Sequence, residues 1–268
     1  MIINVPEFDP VALSFYFIKI RWYSLAYIFG VVYAYLWIKR TNQKVKYLSE
    51  QALEDWLLYI VLAVIIGGRC GYVFFYNPRY FFNNPQEILA FWHGGMSFHG
   101  GLLGVILGMY LFAQKYHIKY WTLMDHLAVC APFGICLGRL ANFVNLELYG
   151  RPTSEWFSKN FFGFVFPNSD MIPRHPSQLY EALLEGLVLL VILTLLYFKT
   201  KFKNYPQRMS GIFLIGYSIA RFICEFFREP DQQIGYFLNF FSMGQILSLP
   251  IMLIGATLII SSRKTKKA

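Results

Sequence analysis

Residues 178–198 read QLYEALLEGLVLLVILTLLYF, and this run decides the class of fold. Beyond Glu185 it has no charged residue and consists mainly of leucine, valine and isoleucine. An α-helix rises about 1.5 Å per residue, so about 20 apolar residues cross the roughly 30 Å hydrocarbon layer of a bilayer. The run therefore predicts a transmembrane helix.

Apolar runs of this kind recur along the whole chain. Of its 268 residues, 56% are hydrophobic and only 15% are charged, a balance that soluble globular domains rarely have. Charged residues, prolines and glycines separate seven predicted spans: 13–38, 56–76, 97–113, 121–141, 178–198, 210–228 and 240–260. We expect an all-α polytopic membrane protein of seven transmembrane helices, with residues 1–268 in a single integral membrane domain.

The distribution of basic residues predicts the orientation of these helices. Alternate loops and the C-terminal segment contain fourteen Lys and Arg residues, against four in the N-terminal segment and the other loops. By the positive-inside rule, the N-terminus is extracytoplasmic and the C-terminus is cytoplasmic. The long loop 142–177 then forms a small extracytoplasmic head region. This pattern explains the net charge of +9 better than nucleic-acid binding, which we do not expect.

Predicted spans contain Arg69 in GGRCGY, Arg139 in GRLANF and Arg221 in YSIARFICEFFRE. An Arg at the bilayer centre costs about 2.5 to 3.5 kcal/mol on insertion scales, so each one needs a partner or a function. A single Arg can reach the interface or pair with a neighbour such as Glu225. Several guanidinium groups around one cavity would repel each other without an anion, and Arg suits bidentate contact with phosphate.

The predicted depth of these arginines indicates which phosphate they contact. Other polar groups lie at the same depth, in the outer half of the bilayer: Tyr23, His99, Gln178, Tyr180 and Glu181. The phosphate that is most abundant there belongs to phospholipid headgroups. We therefore expect a phospholipid to bind among the helices.

The histidines and cysteines carry weaker signals. His93 and His99, in HGGMSFHGG, are six residues apart, which is not the i, i+4 spacing of two metal ligands on a helix. The four cysteines lie in apolar runs without a CxxC spacing, so we expect neither disulfides nor a zinc site. Ser97 can cap the helix that carries His99 in its first turn. His99 is then either structural or an acid–base group.

Four motifs together carry a resemblance to a known family. They are HGGMSFHGGLLG at 93–104, GRLANFVNLELYGRPT at 138–153, HPSQLYEALLEG at 175–186 and the stretch from Tyr217 to Asp231. In these motifs and their order, the chain resembles the prolipoprotein diacylglyceryl transferases of bacteria. The GRxxNFxNxExxG pattern within the second motif is specific enough to make a chance match implausible.

The resemblance implies an enzyme of lipoprotein maturation in the bacterial inner membrane. Such an enzyme moves the diacylglyceryl group of phosphatidylglycerol onto the cysteine thiol in the lipobox segment of a preprolipoprotein. A thioether forms and glycerol phosphate leaves. The partners are therefore phosphatidylglycerol, the lipobox segment and the surrounding membrane lipids, and no metal or organic cofactor is required.

The resemblance also implies which residues of this chain form the site. It implies catalytic roles for His99, Arg139 and Arg221. It implies substrate-binding roles for Tyr23, Arg69, Asn142, Asn145, Glu147, Gly150, Tyr217 and Glu225. Two positions depart from the usual family residues: Ala141 replaces a glycine, and His93 replaces a residue that is commonly acidic. The second departure changes the charge near His99.

The implied reaction makes two physical demands on the site. Negative charge grows on the leaving phosphate, so fixed cations such as Arg139 and Arg221 stabilise the transition state. The thiol must also lose a proton, and reference pKa values near 8.5 for Cys and 6.5 for His make transfer to His99 uphill by about 2.7 kcal/mol. His99 is therefore either the general base or a neutral hydrogen-bond donor. We expect Glu147 to pair with a basic group, because a free carboxylate would repel the phosphate.

Two other classes of protein share parts of this pattern. A transporter or flippase of anionic substrates also has intramembrane arginines, but it requires access from both sides of the membrane, and the sequence shows no inverted repeat. An assembly or anchoring protein does not need an arginine cluster at a cavity. Conversion of lipid in vitro distinguishes the three classes.

We predict that the loops near 42 and 203 face the cytoplasm and that the loop near 160 lies outside, because of the basic asymmetry. Single cysteines at Asn42, Asn160 and Lys203 test this prediction with a membrane-impermeant thiol reagent in intact spheroplasts. Only the cysteine at position 160 should react. Labelling at 42 or 203 would contradict the topology.

Overall fold

The computed structural model describes residues 1–16, 18–90, 94–230, 236–237 and 241–263. His93, one of the two departures from the family pattern, lies outside these residues. Contacts between residues divide the chain into two compact units, which we describe separately. One unit is residues 35–124, and the other combines residues 1–34 with residues 125–268.

Most of the described chain is helical. The helices are α1 (Trp22–Val45), α2 (Glu50–Phe75), α3 (Pro78–Asn83), α4 (Phe98–Lys115), α5 (Tyr120–Val144), α6 (Glu155–Asn160), α7 (Ser177–Glu181), α8 (Leu189–Lys199), α9 (Arg208–Cys224) and α10 (Met243–Ser261). A π-helical segment, Ala182–Val188, joins α7 to α8, so residues 177–199 form one continuous helix. Short 3-10 turns occupy Pro85–Leu89 and Phe202–Asn204.

A helix lies at each predicted span, and four helices in the described residues are long and apolar enough to cross a membrane. These four are α2, α5, the 177–199 helix and α10. The chain is therefore a mostly helical membrane protein.

The first predicted span, 13–38, is wrong at its start. Residues Val11–Phe15 form strand β2, which pairs in antiparallel fashion with strand β3, Ile18–Arg21. The helix begins only at Trp22, whose indole Nε1 donates a hydrogen bond to the Asp9 carbonyl at 2.9 Å. Short apolar runs fit a strand as well as a helix, so periodicity alone could not place this boundary.

The chain is mostly helical, as predicted, but segments between its helices also form short two-stranded sheets. Strand β1 (Ile2–Asn4) pairs in parallel with β4 (Gly163–Val165), and β5 (Tyr236–Phe237) pairs with β6 (Phe241–Ser242). Backbone groups outside helices still need hydrogen-bond partners, and pairing of strands supplies them. The β1–β4 pair ties the start of the chain to the predicted head region.

Within residues 35–124, α2 and α4 pack closely through glycine. A Cβ atom at Gly71 would lie 2.7 Å from the Gly100 Cα. Small residues let helix backbones approach in membranes, where packing rather than hydrophobic burial drives association. This contact holds together the two helices that carry Arg69 and His99.

In the other unit, the π-helical segment packs against α5. A Cβ atom at Gly186 would lie 2.5 Å from the Cys136 Cβ, so only glycine fits at this contact. π-Helical turns are rare and frequently occur at functional sites. Here the segment brings a stretch of the 177–199 helix directly against α5.

Asp125, near the start of α5, binds the N-terminal end of α9. Its Oδ1 accepts hydrogen bonds from the Ser210 backbone N at 2.8 Å and Oγ at 2.7 Å, and its Oδ2 accepts one from the Gln207 N at 2.9 Å. The first turn of a helix leaves such N–H groups unpaired, and the buried carboxylate satisfies them. Asp125 therefore fixes the helix that carries Arg221.

We predict that Asp125→Ala destabilises the protein by about 1–3 kcal/mol, because it leaves buried donors of Ser210 and Gln207 without an acceptor. Asp125→Asn keeps one acceptor oxygen and should therefore lose less stability than Asp125→Ala. Thermal unfolding of the detergent-purified variants measures the difference. An unchanged unfolding midpoint for Asp125→Ala would show that this contact does not hold α9.

Candidate active site

Arg139 of α5 and Arg221 of α9 lie together around two glutamates of the 177–199 helix. Glu181 Oε2 is 2.9 Å from Arg139 Nε, and Glu181 Oε1 is 3.0 Å from Arg221 Nη1. Glu185 Oε2 accepts a hydrogen bond from Arg139 Nη2 at 3.2 Å, and Glu185 Oε1 accepts one from Arg221 Nη1 at 3.3 Å. Both glutamate side chains are fully buried. The structure thus brings the two predicted catalytic arginines together.

Arg228 and Glu225 extend this arrangement at the end of α9. Arg228 Nη1 is 3.5 Å from Glu181 Oε1. Glu225 Oε1 pairs with Arg221 Nη2 and lies 3.9 Å from Arg228 Nε. Glu225 Oε2 also accepts a hydrogen bond from Ser242 Oγ at 2.6 Å. We call this set the ion-pair cluster, and its members are Arg139, Glu181, Glu185, Arg221, Glu225 and Arg228.

The ion-pair cluster balances its own charge, with three guanidinium groups and three carboxylates. Protein carboxylates therefore relieve the repulsion between the arginines. In the part of the chain that the structure describes, Arg139 Nη1 and Arg221 Nε make no ion pair or hydrogen bond. Each catalytic candidate thus keeps a donor for an incoming anion.

Sequence reasoning missed Glu185 and Arg228, and it treated Glu181 only as one of several polar groups. Residues four apart share one face of a helix, and two glutamates with this spacing in an otherwise apolar run are the signal that identifies the pair. Arg228 is the last residue of the predicted span 210–228. A basic residue at the end of a span can reach the membrane interface, so it does not by itself indicate a site.

Tyr23, Asn142, Asn145 and Glu147 form a second polar network. Tyr23 Oη donates to Glu147 Oε1 at 2.5 Å and accepts a hydrogen bond from Asn142 Nδ2. The side-chain amides of Asn142 and Asn145 also donate to Glu147 Oε1, both at 3.4 Å. Among the described residues no basic group pairs with Glu147, so the predicted basic partner is wrong and neutral donors hold this carboxylate.

The segment that carries Glu147 has a strained backbone. Leu146 and Leu148 adopt φ values of 56° and 58°, which non-glycine residues rarely adopt and which cost roughly 1–3 kcal/mol each. Gln178 Nε2 donates to the Glu147 carbonyl at 2.8 Å, and Ser177 Oγ donates to the Leu148 carbonyl at 2.9 Å. The start of the 177–199 helix therefore holds Glu147 in place.

Gly150 lies where three backbone segments meet. Its N–H donates to the His175 carbonyl at 2.9 Å, and it forms an isolated β-bridge with Arg228. A Cβ atom here would lie 2.5 Å from the carbonyl oxygens of both His175 and Phe227. The residue must be glycine for reasons of space, and it connects the end of α9 to the head region.

Arg174 connects the head region to the backbone at Gly150 and to Glu229. Its guanidinium pairs with Asp170 at 2.7 Å and Glu229 at 2.5 Å, and it donates to the Gly150 carbonyl at 3.1 Å. The hydrogen bond from Arg174 lowers the pKa of the Asp170 carboxyl. The pairing therefore persists at neutral pH and weakens only in acid.

Tyr217 lies on α9, the helix that carries Arg221. It is half-buried and lies one turn before Arg221, and its ring stacks on Phe213 with 6.0 Å between centroids. Residues four apart share one face of a helix, so Tyr217 lies on the same face of α9 as Arg221.

Arg69 belongs to the unit of residues 35–124 and is held by backbone carbonyls. Its Nε donates to Ile88 O at 2.9 Å, its Nη1 to Gly95 O at 3.2 Å and its Nη2 to Glu87 O at 2.6 Å. The guanidinium also lies 5.2 Å from the centre of the Phe81 ring. These contacts fix the segment that precedes α4.

His99 lies in the first turn of α4, in that same unit. Ser97 is the N-cap residue, and its Oγ accepts a hydrogen bond from the Gly100 N at 3.2 Å, which confirms the predicted cap. The His99 side chain is exposed, and its ring centre is 5.7 Å from that of Phe98. The predicted site residues thus fall into two sets: His99 and Arg69 in one unit, and the remainder in the other.

Comparison with known proteins identifies the family. The family model of prolipoprotein diacylglyceryl transferase matches residues 10–261. A phosphatidylglycerol–prolipoprotein diacylglyceryl transferase of Rickettsia felis is 48% identical over 96% of this chain and 98% of its own. The proteins of the same name in Rickettsia canadensis and Rickettsia typhi are each 46% identical, over 96% and 95% of this chain and 98% and 97% of theirs.

We predict that Gly150→Ala lowers stability by about 1–3 kcal/mol, because the added methyl overlaps the carbonyls of His175 and Phe227. Gly138→Ala is the matched control, since a Cβ atom there meets no atom within 4 Å. Thermal unfolding of both purified variants measures the effect. Equal unfolding midpoints would contradict the steric role of Gly150.

Proposed function

The chain belongs to the prolipoprotein diacylglyceryl transferase family, and we propose how its residues perform this transfer. The protein is a transferase that moves the diacylglyceryl group of phosphatidylglycerol onto a prolipoprotein. The acceptor is the cysteine thiol of the lipobox segment. The observation that carries the mechanism is the pairing of Arg139 and Arg221 around buried carboxylates, with one donor left on each arginine.

The reaction is a substitution at the glyceryl carbon that bears the phosphate. The thiol gives its proton to a base, the thiolate forms the C–S bond, and the C–O bond breaks. The electron pair of that bond goes to the phosphate oxygen, so glycerol phosphate leaves. Arg139 and Arg221 bind the phosphate as its charge grows, and fixed cations at that place stabilise the transition state more than the bound lipid.

His99 has two candidate roles in this reaction. In the first role it is the general base that takes the thiol proton. In the second role it stays neutral and donates a hydrogen bond to the lipid headgroup. Its exposed side chain, on a helix whose start is fixed by Ser97, is available to a substrate in either role.

The remaining site residues support binding. Tyr217 donates to the phosphate or a glycerol hydroxyl beside Arg221, and Glu225 orients Arg221. The second polar network and the Gly150 backbone shape the wall of the lipid site next to the head region. Its members are Tyr23, Asn142, Asn145 and Glu147. Arg69 contributes by fixing the segment that leads to His99.

The protein works in the bacterial inner membrane, which it crosses seven times as a single integral membrane domain. Its N-terminus and the head region of residues 142–177 are extracytoplasmic, and its C-terminus is cytoplasmic. The distribution of basic residues supports this orientation, and the helix at each predicted span supports the number of crossings.

Incubation of the purified protein with phosphatidylglycerol vesicles and a lipobox peptide tests the proposal, with mass analysis of the peptide. We expect the cysteine peptide to gain one diacylglyceryl group and a Cys→Ser peptide to gain none. Lipid movement across the bilayer without a mass shift would favour a flippase instead. Folded protein that leaves the peptide unmodified would contradict the proposed reaction.

We predict that Arg139→Lys and Arg221→Lys reach the membrane but lose activity by about 10²–10³-fold, because an ammonium group cannot reproduce the planar fork of a guanidinium group. Arg79→Lys is the control, since Arg79 is exposed on α3 and outside the site. Initial rates of peptide modification measure the effect. Wild-type turnover in both site variants would exclude the phosphate-binding role.

The two roles of His99 predict different pH dependence. If His99 is the base, His99→Gln fails near neutral pH and partly recovers as pH rises toward the pKa of the thiol, because hydroxide then ionises the cysteine. If His99 only donates a hydrogen bond, Gln restores activity at every pH. Rates of wild type, His99→Gln and His99→Ala from about pH 6 to 9 decide between them. Full activity of His99→Gln at neutral pH would falsify general-base catalysis.

A further inference from the structure

Glu185 bridges the two arginines with its two oxygens. Oε2 accepts from Arg139 Nη2 at 3.2 Å and Oε1 accepts from Arg221 Nη1 at 3.3 Å, so one carboxylate joins both guanidinium groups. Two non-bridging oxygens of a phosphate would make the same pair of contacts. Glu185 therefore occupies one further donor on each arginine, Arg139 Nη2 and Arg221 Nη1, for which a phosphate bound at the unpaired donors would compete.

Glu181 holds the same arginines in a different way. Its ion pairs are shorter, at 2.9 Å to Arg139 and 3.0 Å to Arg221, and it also lies 3.5 Å from Arg228. Glu181 thus forms ion pairs with three arginines, although its oxygens accept no hydrogen bond from the described residues. Glu185 accepts one hydrogen bond from each of its two arginines and lies inside the π-helical segment Ala182–Val188. Among the described residues, Glu185 pairs only with the two arginines that a phosphate would contact, whereas displacement of Glu181 would also break its ion pair with Arg228.

The charge of the product makes such a carboxylate useful. A lipid phosphodiester carries one negative charge, whereas the phosphate monoester that leaves carries about 1.5 to 2 near pH 7. The product therefore binds the arginines more strongly than the substrate does, and an arginine pair without a competing carboxylate would retain it.

We propose that Glu185 competes with the phosphate for Arg139 and Arg221 and thereby releases the glycerol phosphate product. This inference rests on the proposed function and assigns Glu185 as a positioning residue within it. The lipid phosphate displaces Glu185 from the two arginines during binding. After the C–O bond breaks, the carboxylate returns to them and lowers the affinity for the monoester.

Inhibition by glycerol 1-phosphate tests this role in Glu185→Gln, because Gln keeps the shape of the side chain and loses its charge. Removal of the competing charge should lower the inhibition constant of glycerol 1-phosphate about tenfold or more, as expected for two charge-assisted hydrogen bonds. The KM for phosphatidylglycerol should fall with it, and kcat should also fall because the product leaves slowly. Calorimetric titration with glycerol 1-phosphate measures its affinity for the wild type and for Glu185→Gln directly, without turnover.

Two controls separate this role from loss of structure. Glu155→Gln removes one exposed carboxylate of the head region. It should change neither the inhibition constant of glycerol 1-phosphate nor the KM for phosphatidylglycerol. Glu181→Gln removes the residue that holds three arginines and should raise KM rather than lower it. If Glu185→Gln does not fold, Glu185→Asp replaces it, because the shorter side chain moves the carboxylate away from the arginines. The inhibition constant of glycerol 1-phosphate and the KM for phosphatidylglycerol should then fall by a smaller factor.

The outcome distinguishes failure of this inference from failure of the proposed function. Wild-type protein that modifies the peptide, together with an unchanged or higher inhibition constant in Glu185→Gln, would overturn the role of Glu185 alone. Wild-type protein that neither modifies the peptide nor binds glycerol 1-phosphate would overturn both.

Discussion

The ion-pair cluster of α5, the 177–199 helix and α9 is the constraint on which the site depends. Buried ions lose their hydration, at a cost of several kcal/mol each, and only good pairing offsets that loss. Arg139 and Arg221 each contact both Glu181 and Glu185, so removal of one partner leaves an uncompensated buried charge. The cluster therefore fixes the three helices relative to one another within their unit.

Other features of this unit serve the same geometry. Asp125 holds the first turn of α9, and Gly186 lets the π-helical segment approach α5. At the outer end of the site, Gly150 joins the end of α9 to the head region, and strained leucines on either side of Glu147 present its carboxylate to Tyr23. Strain of this kind persists only where surrounding contacts enforce it, and it is concentrated at functional sites.

Much of this account could be predicted from the sequence. A charged residue inside an apolar helix has a high energetic cost in a membrane, so its presence indicates a partner or a function. That signal identified Arg139 and Arg221, and the hydropathy pattern placed a helix at every predicted span. The signal did not show what neutralises the arginines, since the partner can be a ligand or a carboxylate such as Glu185. Nor did it show that backbone carbonyls bind Arg69, because carbonyls are present at every residue and have no sequence signature. The strands of two to five residues were not predicted, because runs this short do not show a recognisable hydrophobic periodicity.

A structure of the protein bound to a non-hydrolysable phosphatidylglycerol analogue tests the central claim most directly. The measured quantity is the distance from the phosphate oxygens to the guanidinium nitrogens. We expect phosphate oxygens within about 2.7–3.2 Å of both Arg139 and Arg221, with Glu181 still paired to them. A lipid phosphate bound away from both arginines, with the ion-pair cluster unchanged, would contradict the account.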